Sequence, residues 1–110
     1  MVENGLNINE IDIYGQNAIY YAINTGKMVT AKLMHSLGST IDHIDENGQT
    51  PLYYAIKSNH TDIIEYLLKN GINVHNQDKR GQTPINFAIR YNKNHIKELL
   101  IKYGANPPVN

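Results

Sequence analysis

Five histidines, His35, His43, His60, His75 and His95, are the side chains best suited to metal binding or proton transfer, and their spacing argues against both. No two stand four residues apart, the separation that brings two imidazoles to one helix face around zinc. The chain has no cysteine, which removes disulfides, thiolate nucleophiles and thiolate metal ligands, and suits a reducing compartment. Asp62 and Glu65 come closest to an acid/base pair, but on a helix they read as surface charges. No serine or threonine sits in a nucleophile elbow. The phrase Gly-Gln-Thr-Pro at Gly48 and again at Gly81 is a turn followed by a helix cap, not a phosphate cradle. A non-enzymatic chain with no catalytic residue, metal or cofactor is expected. Asn59-His60-Thr61 fits a glycosylation sequon but falls in an inter-helix turn of a chain without an export leader, so it reads as incidental.

The elements that position these residues are dictated by a period. Gly15, Gly48 and Gly81 lie 33 residues apart and open nearly the same phrase, and Gly5, Gly38, Gly71 and Gly104 keep the same step. Asp12, Asp45 and Asp78 form a third series in register. A fixed period of this size means stacked units that bury each other's faces, with an extended surface and no enclosed cavity.

Within one unit the sequence spells helix, turn, helix, loop. Thr50 and Thr83 are N-cap candidates, with Pro51 and Pro84 at the first helical position, where a missing N–H costs nothing. Asn17 is the equivalent cap in the first copy. The first helices are expected to run through about Ser58 and Tyr91. The second helix, residues 61–70 in the middle copy, carries Ile63, Ile64, Leu67 and Leu68 as one wide apolar stripe. Gly71, like Gly38 and Gly104, ends it. Asp-x-x-Gly then reads as a tight turn at the tip of an extended arm. Ala22, Ala55 and Ala88 permit close helix approach. Tyr21, Tyr54 and Phe87 are expected to form an aromatic row between layers, with Ile23, Ile56 and Ile89 as a second row.

These features together resemble the ankyrin repeat family: the 33-residue period, Asp-x-x-Gly-x-Thr-Pro-Leu-x-x-Ala at the first helix, and a second helix closed by Leu-Leu-Lys-x-Gly. The resemblance covers almost the whole chain. It implies one all-α domain over residues 1–110, a solenoid of stacked antiparallel helix pairs with projecting β-turn loops. The units fall at 12–44, 45–77 and 78–110, preceded by the tail of a partial repeat at 1–11. Gly5 to Ile11 align with the end of a unit whose helices are missing, as in a chain that begins inside a longer array. Tyr20, Tyr53 and Asn86 stand where the family usually has a histidine that braces the turn, and Asn17-Ala18 stands where it has Thr-Pro. Thr30 and Lys97 replace apolar residues of the middle copy (Ile63 and Ile64), which reads as polar capping of the two ends of a complete small domain.

Composition narrows the partners. Ten basic and ten acidic residues cancel, so no overall field recruits nucleic acid or an anionic membrane, and 41% hydrophobic content suits a folded chain. No apolar run is long enough for a membrane span. An intracellular monomer, cytoplasmic or nuclear, that binds a protein or peptide is expected.

The resemblance implies that partners are met by the turn tips and the exposed side of the first helices. The tip positions are Ile13, Tyr14 and Gln16, then Glu46, Asn47 and Gln49, then Lys79, Arg80 and Gln82. The helical positions are Asn24 and Thr25, Lys57 and Ser58, Arg90 and Tyr91. Along the stack the surface runs from apolar and aromatic, through acidic to neutral, to basic, and Tyr14 and Tyr91 are the anchor candidates. Two alternatives follow from other features. Eight tyrosines could supply a methyl-lysine cage if several converge on one pocket, although Tyr21, Tyr54 and Tyr66 read as packing residues. The chain could also be a regulatory or substrate-recruiting segment of a larger enzyme.

Overall fold

A computed structural model describes residues 10–107. Six helices follow in order: α1 (Ala18–Asn24), α2 (Met28–Ser36), α3 (Pro51–Lys57), α4 (Thr61–Lys69), α5 (Pro84–Arg90) and α6 (Asn94–Lys102). There is no strand among the described residues. The helix starts keep the glycine period, since α1, α3 and α5, like α2, α4 and α6, begin 33 residues apart. Each pair packs on itself, α3 lies between α1 and α5, and α4 lies between α2 and α6, within an elongated envelope of 53 × 26 × 20 Å. This is the all-α solenoid of helix pairs that the period requires. Apart from Glu10 and Ile11, the tail expected at 1–11 lies outside the described residues, as do the last three positions of the 78–110 unit.

The middle layer is the most apolar, as expected of a unit covered on both sides. Ile63, Ile64, Leu67 and Leu68 of α4 are all buried, as are Leu52, Ala55 and Ile56 of α3. Ala22 and Ala88 are buried too. In the end layers the burial thins: α2 buries only Ala31 and exposes Val29 and Leu33, and Ile89 is exposed, unlike Ile23 and Ile56. The second apolar row therefore stops short of α5, which has no further helix beyond it among the described residues. Thr30 and Lys97 are half-buried, and with Val29 and Leu33 open the outer face of the first pair is only partly polar.

The aromatic row also differs from expectation. Tyr21 is 57% exposed and contributes nothing to the interior, whereas its neighbour Tyr20, like Tyr53, is fully buried. The interlayer contacts are Tyr20 against Tyr54 and Tyr53 against Phe87, edge to face with ring centroids 5.5 and 5.4 Å apart. Adjacent residues on a seven-residue helix differ by about 100° in direction, so phase decides which ring turns inward.

Only one of the three expected N-caps forms through its side chain. Thr83 accepts from the N–H of Asn86, while Asn86 Oδ1 accepts in return from the N–H of Thr83, closing a capping box. Thr50 and Asn17 make no side-chain cap bond. At the other two starts the N–H of the third helical residue donates to the carbonyl of the cap residue, Tyr53 to Thr50 and Tyr20 to Asn17, both at 3.1 Å, and tyrosine has no side-chain acceptor placed to return the bond as Asn86 does.

Candidate functional site

The tips form a braced ridge. In each copy the first aspartate bends the chain by accepting backbone N–H groups on Oδ1: Tyr14 and Gln16 at Asp12, Asn47 and Gln49 at Asp45, and Arg80 and Gln82 at Asp78. The turn closes on a glycine with φ near +76°, and at Gly48 a Cβ would lie 2.9 Å from the Lys79 nitrogen of the next turn. Consecutive tips are joined through the backbone, Glu46 N donating to Tyr14 O at 3.0 Å and Lys79 N to Asn47 O at 3.1 Å.

Side chains repeat this linkage. Gln16 Nε2 donates to Asp45 Oδ2 at 3.1 Å and Gln49 Nε2 to Asp78 Oδ2 at 2.9 Å. Gln82 instead folds back on Asp78 of its own turn, at 3.2 Å. Tyr54 donates to Asp45 and Tyr21 to Asp12, a bond that phenylalanine at position 87 cannot make to Asp78. Beneath the tips, His43 Nε2 meets Gly15 O at 2.8 Å, and Asn76 Nδ2, one period on, donates to Gly48 O at 3.1 Å. Burial alone would raise the Asp78 carboxyl, but the Gln49 amide and the backbone N–H groups of Gln82 and Arg80 bring it below its ordinary value. At Asp12 the Tyr21 hydroxyl bond is the main cause of a lowered carboxyl.

The tyrosines in the family's histidine position brace the loops themselves. Tyr53 OH lies 2.7 Å from both Asn76 O and Gln82 O, and Tyr20 OH donates between His43 O and Gln49 O. One phenolic proton is thus shared between two carbonyls of the following arm. Burial, and then the neighbouring aspartates, push both phenols well above their ordinary value.

Of the fifteen residues expected at the partner surface, Gln16, Gln49 and Gln82 are half-buried, the first two with their amides bonded to the aspartate of the next turn and Gln82 with its amide on the aspartate of its own. The other twelve are exposed: Ile13, Tyr14, Asn24, Thr25, Glu46, Asn47, Lys57, Ser58, Lys79, Arg80, Arg90 and Tyr91. Between the second and third tips lies a groove of about 270 Å³ whose cations are Lys57, Lys79, Arg80 and Arg90 and whose rings include Tyr53, Tyr54, Phe87 and Tyr91. Arg90 Nη1 donates to Gln82 Oε1 at 3.1 Å, and Phe87 and Tyr91 meet edge to face at 4.9 Å. Ile13 is 84% exposed and Tyr14 53% exposed at the opposite end of the ridge.

The histidines are structural or superficial. His35 Nδ1 and Tyr66 OH lie 2.6 Å apart across the α2–α4 contact, and the His60 ring occupies the space left by Gly26, where a Cβ would come within 2.6 Å. Among the described residues no group of three or more His, Asp or Glu is placed to hold a metal ion, and no helix is long and apolar enough to cross a membrane.

Stacked helix pairs that carry a braced row of turn tips define a helical-repeat protein of the kind that presents a surface and not a reaction chamber. The family model described as ankyrin repeats (3 copies) matches residues 1–78 and again 30–110, so the chain belongs to the ankyrin repeat family. Ankyrin repeats are generally protein–protein interaction modules and typically non-enzymatic. No curated protein matches the chain.

Proposed function

We propose that this chain is a non-enzymatic interaction module that takes an extended protein or peptide partner along the groove beneath its turn tips. The observation that carries the reading is the bonding of consecutive tips, which holds six exposed and chemically varied tip side chains in register beside six more at the ends of the first helices. A preorganised surface loses little freedom on binding, so more of its contact energy appears as affinity. In this reading the repeats are 12–44, 45–77 and 78–110 after a partial tail at 1–11, and the molecule acts as an intracellular monomer that binds neither nucleic acid nor membrane.

A methyl-lysine reader is the weaker alternative. Four rings do line the groove, but four cations line it too and would repel an alkylated ammonium. A role as the recruiting segment of a larger enzyme is compatible with the same surface. The test is affinity capture from native lysate with the wild-type chain and with Lys79→Glu/Arg80→Glu. Proteins retained by the first and lost by the second are expected; identical retention by both would remove these tips from the site.

A further inference from the structure

Resting on that reading of the groove, we propose that its third-unit end receives a short run of aspartate or glutamate in the partner segment, with an aromatic or leucine side chain beside it. The chain as a whole is balanced at ten basic and ten acidic residues, yet Lys57, Lys79, Arg80 and Arg90 line one groove. Among the described residues none of the four has an ion-pair partner, and the pair that does form is Lys97 with Glu98, on α6. The carboxylate that shares the groove, Asp78, is 7% exposed and already accepts from two backbone N–H groups and the amides of Gln49 and Gln82. Its lone pairs are occupied, so it shapes the turn without neutralising the cations by contact. Like charges gathered on one surface repel, and an anionic partner relieves that repulsion.

The rings restrict the partner further. Tyr91, 41% exposed and edge-on to Phe87, gives the groove an apolar shelf beside Arg90, which a bare anion would leave uncovered and a leucine or aromatic side chain would cover. The cationic stretch is short. The next tip carries Glu46, and the first carries Ile13 and Tyr14 and no cation, so a nucleic acid strand with a phosphate at every step would run into repulsion and then into an apolar surface. A peptide matches this pattern by being acidic at one end and apolar at the other.

Selection of a displayed random-peptide library on the folded protein tests this, followed by anisotropy titration of selected peptides against wild type and Lys79→Ala/Arg80→Ala. Both substitutions are on an exposed tip, and circular dichroism checks that the helices persist. Selected sequences should carry Asp or Glu runs beside Phe, Tyr, Trp or Leu. Affinity should fall about tenfold in the double variant and fall again as salt rises several-fold, because rim charges are screened. Selection of neutral or basic peptides, or of acidic ones indifferent to the double substitution, overturns the acidic-run assignment and leaves an interaction module standing. Preference for a single-stranded oligonucleotide over every selected peptide overturns it in favour of nucleic acid. A folded protein that selects no peptide at all removes the groove reading itself.

Discussion

Gln49 of the second turn donates its side-chain amide to the Asp78 carboxylate of the third at 2.9 Å, and Gln16 makes the same bond to Asp45 one period earlier. Each aspartate therefore has two tasks, bending its own turn through Oδ1 and receiving the previous turn through Oδ2. The two bonds are not equivalent in consequence, because losing the aspartate orphans several donors and losing the glutamine orphans one acceptor site that has other partners.

Asp78→Ala should accordingly destabilise the protein by about 1–3 kcal/mol, since it strands two backbone N–H groups, and Gln49→Ala by about 1 kcal/mol. Urea denaturation followed by circular dichroism gives both values. A larger loss at Gln49 than at Asp78 would contradict the division of roles.

Stability should fall at both extremes of pH. Asp78 has a lowered carboxyl in the folded state, so its contribution is present above its ordinary value of 3.8 and is lost as the pH falls below it. Tyr54 moves the other way: burial first, then its bond to Asp45, push it from 10.0 to about 12. Its contribution is complete below pH 10 and is lost as the pH rises from 10 towards 12. Urea midpoints across the range should show an alkaline decline that becomes shallower in Tyr54→Phe; an unchanged decline would remove this phenol as a cause.

Gly48→Ala and Gly81→Ala place the same methyl at the same left-handed backbone geometry, φ 75° and 77°. A Cβ at 48 meets the Lys79 nitrogen at 2.9 Å and the Asp78 backbone, whereas at 81 nothing lies within 4 Å. Strain of about 1 kcal/mol or more is common to both, so Gly48→Ala should be the more damaging. Equal melting shifts would mean that the turns do not hold each other closely.

Leu67→Ala, at a fully buried position in the middle layer, should cost about 2–5 kcal/mol, and Leu33→Ala, half exposed on α2, well under 1 kcal/mol. Comparison of their denaturation midpoints tests whether the central unit carries the core.

The helices, their starts and the glycine-closed turns were legible because period, proline and the apolar stripe all pointed to one arrangement. Which of two adjacent tyrosines faces inward was not: Tyr20 and Tyr21 differ only in helical phase, and both positions were plausible for packing. The three glutamines, expected at the partner surface, have their side-chain amides on turn aspartates, which their position on a tip does not by itself announce. A signal was present, since glutamine recurs at 16, 49 and 82 while the neighbouring tip letters vary, and strict recurrence marks a bond between units more than a specificity position. The reciprocal half of the capping box could be read from the letters, since Asn86 stands where the other two copies have tyrosine, but the choice of the cap residue's carbonyl over its side chain at Thr50 and Asn17 could not. The charge gradient along the tips could be read directly, but its gathering around one groove required the packing that sets Lys57 of α3 and Arg90 of α5 beside Lys79 and Arg80.

The glutamine-to-aspartate bond has a direction: Gln16 and Gln49 reach forward, and Asp45 and Asp78 receive from the turn before. A segment with mating ends of this kind can be duplicated in tandem without inventing a joint, so lengthening such a chain by copying residues 45–77 is a change of size and not of architecture. Natural variation in length and laboratory insertion of a whole unit should therefore be tolerated where a shift of a few residues is not.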